Sequence, residues 1–220
     1  MIAKIATLGG LLLAAACSSS GSDGDPGGED PSARLPYARS VVSFTPGAFA
    51  GFGADRFPEI VLGPPGGEGR GAGSLDVLSL GVGGEIVLDF GERTIEDGPG
   101  ADFVVFENPF YPEGDRTQVF AEPAAVAVSA DGDTFVEYDC DAEGDGNGRF
   151  EGCAGVTPTE RFDPLELDPL DPELTGGDAF DLAELGLGEA RFVRLVDRAR
   201  DGSGNNAGFD LDAVGLIHFR

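Results

Sequence analysis

Tryptophan is absent from this 220-residue chain, histidine and methionine occur once each, and the one lysine is Lys4. Each shortage removes a class of function. One histidine, His218, and three cysteines do not make the tetrahedral nitrogen and sulfur shell of a zinc site. No G-x-S-x-G elbow and no H-E-x-x-H helix occurs, and the glycine-rich stretch Gly63–Gly69 lacks the Lys-Ser/Thr of a phosphate loop. Basic residues are scarce: 14 Lys+Arg face 40 Asp+Glu, for a formal net charge of −26. A chain this acidic has no patch with which to neutralise phosphates, so nucleic acid is excluded as a partner, and anionic lipid head groups should repel it. Long helices are equally improbable, because 36 glycines and 15 prolines interrupt nearly every window of three turns.

What is present begins at the N-terminus. Lys4 supplies a short positive region, Ile5–Leu13 an apolar run too short for a permanent span, and small residues lead into Cys17. Leu13-Ala14-Ala15-Ala16-Cys17 resembles a bacterial lipobox, with Ala14 where Leu or Val is more usual. Residues 1–16 then read as a lipoprotein signal peptide and Cys17 as the acylated first residue; the alternative is an ordinary secretory signal with a chance cysteine. Two acyl chains anchor stably where one does not. Ser18 after the cysteine favours an outer-membrane location in the cell envelope. Residues 17–33 read as a flexible tether, since Ser18–Ser32 are all Gly, Ser, Pro or acid with no apolar side chain to bury. The remaining residues, 34–220, suit one domain, expected as a monomer. Cys140 and Cys153 form an even pair in an oxidising compartment, so a disulfide is expected, closing a loop of about 14 residues and contributing roughly 3 kcal/mol.

Within the domain, short apolar or alternating runs alternate with turns. Val41–Phe44, Ser74–Leu80, Glu85–Phe90, Asp102–Glu107, Ala124–Ser129, Thr134–Tyr138, Arg191–Val196 and Ala213–Phe219 read as strands, and Asp131-Gly132 marks a hairpin. One short helical turn is expected over Asp181–Leu185, stopped by Gly186. The fold class is all-β: an antiparallel sandwich or barrel of about eight strands with long Gly/Pro loops.

Four motifs sharpen this. Gly100-Ala101-Asp102-Phe103-Val104-Val105-Phe106-Glu107-Asn108, Val128-Ser129-Ala130-Asp131-Gly132, Gly176-Gly177-Asp178-Ala179-Phe180-Asp181-Leu182-Ala183 and Gly208-Phe209-Asp210-Leu211-Asp212-Ala213-Val214 occur in this order. Together they resemble a family of bacterial exported "cell surface proteins" with a galactose-binding-like, discoidin-like domain. The resemblance implies a jelly-roll β-sandwich and no settled activity, since function lives in sites rather than in folds.

Candidate sites are oxygen-rich. Asp197, Asp201, Asn205, Asp210 and Asp212 alternate with glycines, as a hard cation such as calcium requires, and Glu107 and Asn108 are expected to complete the shell from a neighbouring strand. Asp210 and Asp212, two apart in a strand-like run, should share a face. The alternative is a set of solvated turn residues. Asp141, Glu143, Asp145 and Asn147 form a second, weaker calcium candidate, which lacks the bidentate Glu and flanking helices of an EF-hand. Phe52, Asp55, Arg56 and Tyr111, on Gly/Pro loops, are the expected glycan-binding residues. The expected function is a non-catalytic, calcium-stabilised lipoprotein binding a glycan or a surface component. Alternatives are a structural or assembly role without a small ligand, and a glycosidase using two carboxylates.

Overall fold

Alternation of apolar and polar residues builds sheets here because each inward-facing row meets another across the core. The computed structural model describes residues 35–66, 73–144, 150–160, 163, 170–200, 204 and 207–220. The signal peptide, Cys17 and the tether lie outside the described residues, as do Asp145, Asn147, Asp201 and Asn205.

The strands are β1 (Ser40–Thr45), β2 (Leu78–Ser79), β3 (Glu85–Asp89), β4 (Ile95–Glu96), β5 (Phe103–Phe106), β6 (Ala124–Ser129), β7 (Val136–Glu137), β8 (Asp178–Phe180), β9 (Glu189–Ala190), β10 (Phe192–Asp197), β11 (Asp210–Leu211) and β12 (Ala213–Leu216). All strand pairings are antiparallel. A five-stranded sheet runs β1-β3-β10-β6-β7, a three-stranded sheet runs β12-β5-β8, and β11-β2 and β4-β9 are two-stranded ribbons. The expected all-β, antiparallel class is what the chain adopts. Every one of the eight expected runs contains a strand; β4, β8, β9 and β11 are additional and only two or three residues long. Among the described residues, helix is confined to α1 (Pro172–Thr175) and short 3₁₀ turns, one of them Leu182–Leu185 with Asp181 as N-cap and Gly186 ending it. Among the described residues, no helix is long and apolar enough to cross a membrane.

One core is shared by the two main sheets. Ile86, Leu88, Val126, Val128, Val193 and Leu195 from the larger sheet join Phe103, Val105, Phe180, Val214 and Leu216 from the smaller. Burying a side chain of this kind stabilises by about 1.5–3 kcal/mol. β5 is buried on both faces, because Val104 and Phe106 point into a second cluster with Tyr37, Leu170 and Ala213. The same period of two carries past the strand ends. Glu107 follows Phe103 and Val105 on the core face, and Asp197 follows Val193 and Leu195. Two acids therefore enter the interior as continuations of apolar rows.

The disulfide Cys140–Cys153 is formed, with 4.7 Å between the Cα atoms. It clips a loop against β6, where Ala154 bridges Ala124 through paired backbone hydrogen bonds of 3.0 and 2.9 Å.

Candidate metal centre and adjoining cavity

Glu107, at 2 % exposure, and Asp210, at 6 %, meet in the interior. The Asp210 backbone N–H donates to Glu107 Oε1 at 3.0 Å. Glu107 Oε2 and Asp210 Oδ1 are buried and have no hydrogen-bond partner. A buried polar atom left this way is costly unless a proton or a cation meets it. Burial pushes the Glu107 carboxyl well above the ordinary carboxylate range, opposed by the Asp210 N–H and reinforced by the charges of Asp210, Glu122 and Asp178. Asp210 is raised to about 6 by burial, against hydrogen bonding from the Ser79 and Asn108 side chains.

Three more acids surround this pair. Glu122, just before β6, accepts from Gly208 N at 3.0 Å and is raised to about 7 by burial and by the charge of Asp210. Asp178, which opens β8, is raised to about 6 by burial, although the backbone N–H groups of Gly155, Val156 and Thr157 all donate to its carboxylate. Asp197 is raised by burial. Both of its oxygens are committed: Oδ1 accepts from Gly83 N at 3.0 Å and Ala199 N at 3.1 Å, and Oδ2 from Phe209 N. Asp197 thus braces the loop entering β11.

The expected ligand set is only partly brought together. Glu107, Asn108 and Asp210 converge. Asp212 stands between two sheets: the chain leaves the β11-β2 ribbon after Leu211 and enters the smaller sheet at Ala213. Its Oδ1 accepts from Gly66 N at 2.8 Å. Among the described residues, the acids around Glu107 do not bring three carboxylates within 4.8 Å of one another; that distance is met by Asp97, Asp102 and Asp181. In the second loop, Asp141 Oδ1 accepts from Glu143 N at 3.1 Å, and Glu143 pairs with Arg200.

Glu122 also lines an open cavity of about 370 Å³ with Phe120, Phe150, Glu143, Arg198 and Arg200. Phe120 is 48 % exposed and stacks on Phe110 with ring centroids 5.1 Å apart. Arg198 holds Glu137 at 3.0 Å. The four residues expected from sequence to bind a glycan, Phe52, Asp55, Arg56 and Tyr111, do not line this cavity. Arg56 pairs with Asp76 and donates to Leu75 O at 3.0 Å, Tyr111 carries the Arg116 guanidinium 5.9 Å from its ring centre, and Asp55 is exposed. Phe52 is half-buried.

Sequence reasoning missed Glu122, Phe120, Phe150, Arg198 and Arg200. Their proximity depends on the disulfide loop folding back onto the end of β10, which no local pattern announces. Asp178 carried a signal, since it lies in one of the four family-like motifs.

No protein-family model matches the chain, and a search of curated proteins returns no match.

Proposed function

We propose that this protein is a non-catalytic binding module of the bacterial cell envelope, lipid-anchored at Cys17 and stabilised by calcium, that takes a glycan or another surface component. The observation that carries the binding role is the open cavity between the disulfide loop and the end of β10. Its volume of about 370 Å³ lies in the range of small-molecule sites, and its apolar floor with a few charged groups is the usual composition of one. Phe120 offers an exposed face for a sugar ring, and Arg198, Arg200, Glu122 and Glu143 offer donors and acceptors for hydroxyl groups.

Calcium is supported by Glu107 Oε2 and Asp210 Oδ1, two bare oxygens in a group of like charges. Calcium takes six to eight oxygens, so these two carboxylates would leave most of the shell to amide and carbonyl oxygens and water. Three plus five antiparallel strands in the two main sheets match the eight of a jelly roll, which supports the galactose-binding-like reading of the family resemblance.

The test has two arms. Thermal unfolding in EDTA and in millimolar calcium should differ by several degrees, since a ligand at 100 times its dissociation constant stabilises by about 2.7 kcal/mol. Asp210→Asn should reduce that shift. On an immobilised glycan panel the protein should be retained, and Phe120→Ala should release it. No calcium shift sinks the cation, and retention unaltered by Phe120→Ala moves the binding site elsewhere.

A further inference from the structure

Three consecutive backbone N–H groups each meet a different acid. Gly208 N donates to Glu122 Oε1 at 3.0 Å, Phe209 N to Asp197 Oδ2, and Asp210 N to Glu107 Oε1 at 3.0 Å. These acids come from the end of β5, the approach to β6 and the end of β10. Phe209, fully buried in the core, anchors the segment from beneath. Gly208–Asp210 is therefore a joint that fixes three distant parts of the chain relative to one another.

On one side of the joint stands a wall of the cavity. Glu122, Pro123, Arg198 and Ala199 line it. The Arg198 N–H donates to Pro123 O at 2.8 Å and the Ala199 N–H to Asp197 Oδ1 at 3.1 Å, so this wall is hydrogen-bonded to itself and to the joint. On the other side are Glu107 and Asp210, whose Oε2 and Oδ1 are buried without a hydrogen-bond partner. The two acids are not held equally. Glu107 directly follows β5, which is paired on both edges by β12 and β8, whereas Asp210 opens the two-residue β11, paired among the described residues with β2 alone. Like charges repel strongly in the interior, and the more weakly held of the two gives way. Movement of Asp210 carries Gly208 and Phe209 with it, and through their N–H groups it displaces Glu122 and the residues that follow Asp197.

We propose, resting on the cation and the cavity assigned above, that calcium at Glu107 and Asp210 controls binding in the cavity, with Gly208–Asp210 as the coupling element. The ion draws the two carboxylates together and fixes Asp210. The successive N–H groups then hold Glu122 and Arg198 in the arrangement that lines the cavity. Without the ion that arrangement is only part of the population, and apparent affinity falls by the same fraction. The coupling is reciprocal: a glycan in the cavity must raise calcium affinity by the factor by which calcium raises affinity for the glycan.

The test applies the full-length protein to the immobilised glycan panel in millimolar calcium and in EDTA, with melting curves in the same two media. Half-maximal retention should need at least about fivefold less protein in calcium, the lower end of typical coupling between sites. Glu107→Gln and Asp210→Asn each remove one charge and keep an oxygen acceptor, so the fold need not fail in both. In whichever variant melts cooperatively in EDTA, retention should be the same in both media. A calcium melting shift with equal retention of the unaltered protein in both media overturns the coupling and leaves two independent sites. Retention that still depends on calcium in a folded variant overturns it as well, because calcium then bridges glycan and protein elsewhere. Absence of any calcium shift, or of any retention in calcium, overturns the coupling together with the reading on which it rests.

Discussion

Gly208 has no room for a side chain. It sits at φ +77°, and a Cβ there would collide with the Asp197 carboxylate that holds the next residue's N–H. Its own N–H donates to Glu122. Gly208→Ala combines a left-handed backbone, which costs a residue with a side chain about 1–2 kcal/mol, with displacement of Asp197. The expected loss is at least about 2 kcal/mol in urea unfolding. A loss under about 0.5 kcal/mol would mean that Asp197 does not brace this loop. The inward acids were partly legible at this scale. Once Phe103 and Val105 are assigned to the core face, period two alone carries Glu107 inward, and Val193 and Leu195 carry Asp197. Their different fates were not legible. Asp197 meets three N–H donors while Glu107 keeps a bare oxygen, and that depends on loops distant in sequence.

At the scale of elements, long strands announce themselves and short ones do not. The alternation along Phe192–Asp197 is read directly as half-buried, and β6 reads as a continuous apolar run. Asp178–Phe180 has too few residues to display a period, and its strand character comes from β5, more than 70 residues earlier in the chain. The disulfide loop lies between these cases. Its cysteines were legible from compartment and count, whereas the wall it contributes to the cavity was not. Ala142, Glu143 and Phe150 all belong to the closed loop. Replacing both cysteines by serine should lower stability by about 3 kcal/mol in the chain-entropy account. It should also weaken glycan retention, as Phe120→Ala does, while the calcium-dependent shift survives. Unfolding with and without reductant checks the first part. A change below about 1 kcal/mol would show that the Ala124–Ala154 bridge already closes the loop.

Across the whole molecule, the acids that matter titrate in one direction. Glu122 is raised to about 7 and Asp178 to about 6, in both cases chiefly by burial. Their folded values exceed the unfolded ones of about 4.3 and 3.9. The folded state therefore binds more protons than the unfolded chain between roughly pH 4 and 7. The stability they confer is fully present below the unfolded values and is lost as pH rises through the folded ones. The formal charge of −26 adds self-repulsion in the same direction as the remaining carboxylates ionise. In EDTA, the melting temperature should thus be higher near pH 5 than near pH 8. A divalent cation competes with protons for such a cluster, so calcium should raise the pH 8 value more than the pH 5 value and flatten the profile. Melting curves at both pH values, with and without calcium, decide the matter. An EDTA profile that rises from pH 5 to 8 would mean that the interior acids are satisfied as anions by the hydrogen bonds they already receive, with no need of proton or metal.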